Sequence, residues 1–586
     1  MRKIYGFLGA TALLALASCS NENVDAPNIG PETKGEAFIQ VQLKLVGTGT
    51  RADNPSWGSY KYGTAAENAV QKLTLGFYDA TGTLIQLAPA TAANVSYPGE
   101  ASQGTDGTNV AQTYQVYQVE VSAITKENAT QMVAYVNCTA PTGNLDLTAQ
   151  QSSLGDDENG YIMTNSVYYN GTNQLVNSTV IGQSNFYTDA SSKPEGYQPV
   201  AIYVERLAAK VEFAGVKTVS DVEIYDKNGK KGKLTFTPKY WFIQNQANSE
   251  YLIKNLTSNS QPSWANASDD FRNFWSITPN YSSTSSPFGL DALSVEDITG
   301  TSSSTKTANL TSGSGDYAYV PTTNNSIEYI FENTFAASRL SNYSGYNPWS
   351  AITSIGILGE YEASGTDAEF NLNLGNAVKT FYLRGGYLAV DGEITKVNMA
   401  YSESDLIAQL LSEAKITAKK GETALEGNEL VALFMVSLPS SGNIVKIEAN
   451  TTAAGFSEVT FSINGTEVSS EVETALNTAI KTYTDLTPAY SYTSGLAYFV
   501  VPLRHHTATG DIDTYKALDQ VAEGDYGIVR NHWYNLSVNS ITGLATGVGD
   551  PEEDEPQNPE PTVTYYIDAD LNVLQWHALP QQSVDL

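Results

Sequence analysis

The residues able to do chemistry are few in this chain of 586 residues. It has four histidines, His505, His506, His532 and His577, and two cysteines, Cys19 and Cys138. His505 and His506 are adjacent in "VVPLRHHTATG", where a strand points neighbouring side chains to opposite faces. A shared metal is therefore disfavoured, and both read as surface residues at a strand end. "DADLN" sets Asp568, Asp570 and Asn572 like the start of a calcium loop. Val573 then stands where such a loop needs glycine, and Leu579 where it needs glutamate. No G-x-S-x-G, H-E-x-x-H or P-loop motif occurs. The 63 Asp and Glu against 32 Lys and Arg give a net charge of −31. At that density a pair of carboxylates says nothing about glycosidase chemistry, and the carboxylates read as solvated surface. The expectation is no enzyme, no cofactor and no metal. The same charge disfavours nucleic acid and anionic membrane surfaces as partners.

Two residues have a sharper reading. Arg2 and Lys3 precede the apolar run "IYGFLGATALLALA", which is too short to span a bilayer and ends in "LASC", Leu16 to Cys19. A signal peptide ending in a branched apolar residue, two small residues and Cys is the lipobox pattern. There the Cys thiol is diacylated and becomes the new N-terminus. Two acyl chains give stable anchoring, so Cys19 is the expected palmitate-type lipidation site of a membrane lipoprotein. Only Cys138 in "MVAYVNCTAP" then remains, which allows no intrachain disulfide. It reads as a buried structural thiol. The second residue is Arg51 in "LVGTGTRADNPSWG", the only arginine between Arg2 and Arg206. It stands in a turn-rich loop directly after a strand pattern.

The elements that must position these residues are strands. Thr, Ser, Asn, Gly and Tyr are abundant and charged residues make up only 16%, the composition of an all-β protein with many turns. In "EAFIQVQLKLV", Ala37, Ile39, Val41, Leu43 and Leu45 alternate with Phe38, Gln40, Gln42 and Lys44, predicting a half-buried strand. Strand-and-turn rhythm with sandwich-like spacing runs on from Lys72, and a second strand-rich region starts near residue 201. Long loops are expected over roughly 245–350. Two short helices are expected, in "SESDLIAQLLSEAKI", where Ser402 and Asp405 are spaced like a capping box, and in "SEVETALNTAIK". The acidic, Pro-rich stretch "GDPEEDEPQNPEPT", residues 549–562, reads as an extended linker. Beyond it, Val563 to Val573 alternate as a strand, and the phase shifts to Leu574, Trp576 and Ala578. A strand without a hairpin partner is not stable alone. The expectation is that it has no partner in the monomer and needs a sheet edge elsewhere. A chain poor in chemistry and rich in unpartnered strands points to assembly.

The segments "LASC", "VAYVNCTAP", "YVERLAAKVEF", "AYFVVPLRHH", "IVRNHWYNLSVNSITGLATG" and "LNVLQWHALPQQSVDL", in that order, resemble the type V pilins, and among them the minor-fimbrium (Mfa-like) major subunit. The resemblance implies two transthyretin-like β-sandwich domains with a few short helices and a C-terminal donor strand. It implies a signal peptide over 1–18 and a propeptide over 19–51 that carries a removable first strand. An N-terminal domain over 52–205, a C-terminal domain over 206–548 and a linker with donor strand over 549–586 would follow. In this family a lipoprotein precursor reaches the outer membrane. There an arginine-specific, gingipain-type surface protease cuts it, here between Arg51 and Ala52. The cut would remove the strand with Ala37, Ile39, Val41, Leu43 and Leu45. A neighbour's C-terminal strand, with Leu571, Val573, Leu574, Trp576, Ala578, Val584 and Leu586, would fill the groove by donor-strand exchange. The implied function is the structural stalk subunit of an adhesive cell-surface fimbria. Its implied partners are further copies of itself, anchor and tip subunits, and receptors on host or bacterial surfaces. The competing readings are a surface glycan-binding lipoprotein, which would keep its lipid and its first strand, and a tip or anchor subunit of the same fimbria.

Overall fold

A computed structural model describes residues 37–45, 61–64, 66–92, 114–169, 175–188, 194–255, 275–281, 290–291, 318–319, 326–336, 351–372, 374, 379–385, 387–390, 393–396, 399–438, 442–505, 524–549 and 567–577. The fold is all-β, with sandwiches of packed sheets and a few short helices.

The N-terminal region forms one ten-stranded mixed sheet. Along its main path lie Leu84–Pro89, Leu73–Tyr78, Gln131–Val136, Met163–Asn165, Val200–Arg206, Ala37–Leu45, Tyr114–Val121 and Thr91–Ala92. The turns follow local chemistry. Asp79 Oδ1 accepts from the N–H groups of Thr81 and Thr83, closing the loop between Leu73–Tyr78 and Leu84–Pro89. Asn137 takes a positive φ of 57° after Gln131–Val136. Its side chain accepts from the Gln71 and Lys72 amides and donates to the Ala69 and Tyr161 carbonyls. Cys138, next in sequence, is buried, and that burial pushes its thiol up to about 12, so it is inert at neutral pH.

The C-terminal region packs a five-stranded sheet against a nine-stranded one. The smaller sheet runs Lys61–Tyr62, Ile567–His577, His532–Ile541, Ala209–Val219 and Ser326–Ile330. The larger is built around Lys231–Gln244, Ser354–Gly365 and Leu496–Pro502. Val211, Phe213, Tyr534, Leu536 and Val538 from the first sheet meet Trp241, Ile243, Ile355, Ile357 and Phe499 from the second in one core. Close approach has a sequence cost here: a side chain at Gly356 would enter the Phe242 ring.

An element the sequence reading did not anticipate lies between residues 402 and 488. Both expected helices form. Glu403–Glu413 is capped by Ser402, whose hydroxyl accepts from the Asp405 amide, and Val472–Leu486 is the longer one. They pack with a four-stranded sheet and the Phe434–Ser437/Lys446–Ala449 hairpin around Leu406, Leu410, Phe434, Phe461, Leu476 and Ile480. This is a separate core, set into the larger sandwich.

Candidate polymerisation site

The first strand is central, not an edge. Ala37–Leu45 pairs antiparallel with Tyr114–Val121, from Ala37 opposite Val121 to Lys44 opposite Tyr114. On its other side it pairs parallel with Val200–Arg206, from Val41 opposite Val200 to Leu45 opposite Val204. Ala37, Ile39 and Val41 are fully buried and Leu43 nearly so, in one core with Leu75, Phe77, Val119, Met132, Ile202 and Val204. The opposite face is covered as well. Gln40 is buried, its amide N–H donating to Tyr197 Oη at 3.0 Å, and the Phe38 ring packs 5.9 Å from Tyr187. Withdrawing this strand would leave a groove with unpaired N–H and C=O groups on both walls and an apolar floor. Cys19, Arg51 and Ala52 lie outside the described residues.

The C-terminal strand departs from expectation. Ile567–His577 does have a partner in its own chain, lying antiparallel on His532–Ile541 from Ile567 opposite Ile541 to Gln575 opposite His532. Leu571, Val573 and Leu574 stand opposite Leu536, Tyr534 and Trp533. Trp576 and His577 pair parallel with Lys61–Tyr62, the first strand described after Arg51. The reason is physical. His532–Ile541 otherwise presents an open sheet edge, and the linker is long enough for the chain to return and satisfy it. Ala578, Val584 and Leu586 lie outside the described residues.

Between the two strands lies a junction of buried charge. Glu67, a few residues past Lys61–Tyr62, forms a 2.7 Å ion pair with Lys210 and accepts from the Tyr329 hydroxyl. Burial alone would raise the Glu67 carboxyl, but these donors and the Thr64 amide outweigh it and hold it below the ordinary value. Lys210 Nζ also sits 3.7 Å from the centre of the Trp533 ring. Arg206, at the end of the N-terminal sheet, donates to the Glu67 carbonyl at 2.7 Å and to Asn531 Oδ1 at 3.1 Å. Burial lowers its guanidinium to about 10. A second cluster joins Arg530 to Glu332 at 3.1 Å, with Glu250 at 3.7 Å, and burial lifts Glu250 to about 8. Lys254 pairs with Glu205 at 3.0 Å with both side chains fully buried. Here the segment around Glu250–Tyr251 hooks onto Gln150–Gln151 of the N-terminal region, and Leu252 and Ile253 pack with Tyr135, Cys138 and Ile162. Such pairs add little net stability, but separating any of them strands a charge at several kcal/mol. The two regions are therefore fixed in one relative orientation.

This corrects the expectation that the carboxylates are all solvated. Burial depends on which distant residues converge, which a single sequence does not display. The histidines need the same correction. His505 and His532 are buried, and His505 Nδ1 shares a 3.0 Å hydrogen bond with the Tyr534 hydroxyl, which accepts from the Val529 amide. His532 Nδ1 bonds the Arg530 carbonyl at 2.9 Å, and His506 lies outside the described residues. No group of three possible metal ligands occurs among the described residues. The "IVRNHWYNLSVNSITGLATG" segment thus supplies the junction's Arg530, Asn531 and Trp533, then the strand that receives the C-terminal segment. It closes in a loop pinned by Tyr361 and Tyr492, which bond the backbone at Gly543 and Ala545.

Residues 490–582, which contain this segment and the C-terminal strand, match the family model "Major fimbrial subunit protein type IV, Fimbrillin, C-terminal". Over that stretch the chain is similar to the fimbrillins. Among solved structures it is similar to a fimbrilin (fimA) from Porphyromonas gingivalis W83, at 12% identity and a TM-score of 0.34, covering 93% of this chain and 99% of that one. It is also similar to the tip fimbrial protein Mfa3 from Porphyromonas gingivalis, at 9% identity and a TM-score of 0.27, covering 92% and 100%. TM-scores this low carry no argument, and the likeness to the fimbrillins stands on the match over 490–582. No curated protein matches the sequence.

Proposed function

We propose that this chain is a fimbrillin, a stalk-forming subunit of a cell-surface fimbria that polymerises by exchange of strands after proteolysis. Cys19 carries the lipid that brings the precursor to the outer membrane. An arginine-specific protease cuts between Arg51 and Ala52, and the Ala37–Leu45 strand leaves with the lipid. The groove between Tyr114–Val121 and Val200–Arg206 is then filled by residues 571–586 of another copy. Residues 52–205 and 206–548 act as the two structural domains, and 549–566 as the tether of the donor strand. The contact is heterologous and head-to-tail, which gives open filaments. Anchor and tip subunits would terminate the filament, and its exposed loops would meet host or bacterial receptors.

The observation that carries the reading is the first strand's position. It is a buried, central strand that ends just before a lone arginine in a turn-rich loop. It precedes every other strand described in its sheet, so one cut detaches it while leaving the rest of the sheet continuous in sequence. Ile567–His577 pairs along its length with His532–Ile541 alone and meets Lys61–Tyr62 only at Trp576 and His577, which favours its release. N-terminal sequencing of fimbriae sheared from cells tests the reading. A start at Ala52, with only surface-bound monomer from Arg51→Ala, is expected. A mature chain starting at a lipidated Cys19, or polymers from Arg51→Ala, would refute it.

A further inference from the structure

The described residues include seven exposed large hydrophobics, and they fall into two groups. Met435, Leu438, Ile444, Leu486 and Tyr490 belong to the 402–488 element and the strand that follows it. Ile444 is bridged to Tyr490, and the Val445 and Ser491 amides donate to the Ala489 and Asn443 carbonyls, so the hairpin extends the large sheet. Burial alternates from Ile444 to Ala449, which puts Ile444 on the same outward face as Glu448 and its cross-strand partner Met435. The other two residues, Ile124 at 64% and Val180 at 62% exposure, lie at the far pole of the N-terminal sheet. Val121, opposite Ala37, leads through Ser122 into the helix Ala123–Asn128, and Gln183 reaches back to the Glu127 carbonyl.

The donor's path ties these two surfaces together. The last described residue before the acidic linker, Gly549, lies against the backbone of Gly442 and Asn443, beside Ile444, and its carbonyl accepts from Thr493 Oγ1 at 2.5 Å. Ile567 is held opposite Ile541, a short loop before Gly549. Residues 550–566 therefore connect two nearby points, although an extended chain of that length reaches about 50 Å at about 3.1 Å per residue. At the acceptor, the Leu45 end of the first strand faces the molecule's own junction. Leu45 stands opposite Val204, two residues before the buried Arg206. An incoming linker would then enter at the Ala37 end, where Val121 leads into the helix that carries Ile124 and where Val180 pairs with Gln131 just beyond that helix. The donor then runs in the direction of the departed strand, parallel to Val200–Arg206.

We infer that a second copy of this chain covers the apolar face of the hairpin: Met435, Ile444 and Tyr490 of one subunit seat on the Ile124 and Val180 pole of the next. This contact rests on the polymerisation reading and adds to it. The donor leaves one subunit beside the first patch and enters the next beside the second. Contact between the patches stiffens a joint that the linker alone would leave loose, and it holds the donor's entry point at high local concentration.

A cysteine pair tests it in the full chain, cleaved after Arg51 so that Cys19 is gone, with Cys138 buried. Ile124→Cys/Ile444→Cys is expected to give filaments that oxidise to a ladder surviving heat and detergent and collapsing with a thiol reductant, while neither single variant does so. Met435→Asp/Ile444→Asp should raise the subunit concentration needed for polymerisation about tenfold, with the monomer's melting temperature unchanged. Normal filaments from the double-cysteine variant without cross-links would overturn the contact and leave strand exchange standing. Dimers from Ile444→Cys alone would also overturn it, in favour of side-by-side pairing. A cleaved wild-type chain that formed no filaments would overturn the polymerisation reading and this contact with it.

Discussion

Removing the first strand should cost the N-terminal domain much of its stability, and a matching peptide should restore it. The comparison is between chains spanning residues 36–550 and 52–550, both lacking Ile567–His577, so that the difference isolates Ala37–Leu45. Ile39, Val41 and Leu43 are almost completely buried. At roughly 1.5–3 kcal/mol each their burial is worth about 5–9 kcal/mol, an upper value because an unfolded chain already hides some apolar surface. That is comparable to the whole stability of a domain, about 5–15 kcal/mol. At about 2–4 °C per kcal/mol for a domain of this size, the first melting transition should fall by at least ~10 °C and at most ~35 °C. A synthetic peptide of residues 567–586, added in excess to the 52–550 chain, should raise it again, and a peptide with Leu574→Asp should not. Scanning calorimetry or intrinsic fluorescence melting reads both effects. Equal melting temperatures for the two chains would refute the reasoning, because the groove would then be stable empty and exchange would have no driving force.

Cys19→Ala should abolish labelling by a palmitate analogue and leave the precursor off the outer membrane, as read by cell fractionation. In the cleaved full chain, Leu574→Asp or Trp576→Asp should stop filament growth, because a charge would enter an apolar groove with nothing to pair it; electron microscopy reads the outcome. Glu67→Gln should destabilise the junction by roughly 3–5 kcal/mol, since Lys210 is then left buried beside an uncharged partner. The Glu67 carboxyl is held below its ordinary 4.5 in the folded state. Its contribution is thus complete above pH 4.5 and is lost as pH falls through the lower folded value. On acidification the wild type should converge on the stability of Glu67→Gln, which paired melting curves would show.

Much of this molecule is written in local pattern. The alternation from Ala37 to Leu45 gives a strand, because period-two burial needs only a sheet on one side to be legible. Ser402 marks the start of a helix because its hydroxyl meets the Asp405 amide within one turn. The fimbrillin resemblance likewise lies in short segments whose order along the chain can be read directly.

Tertiary structure decided what depends on distant residues meeting. Nothing near Glu67 in sequence announces Lys210 and Tyr329, nor does anything near Arg530 announce Glu250 and Glu332, so buried ion pairs looked like surface charge. The C-terminal strand looked partnerless because its partner, His532–Ile541, lies across an acidic linker, and the hydrogen bonds of a sheet edge carry no side-chain signature. Its alternation fixed that it would be a strand. Which edge it joins depends on the free energy of edges elsewhere in the fold, and the sequence of one strand does not contain that quantity.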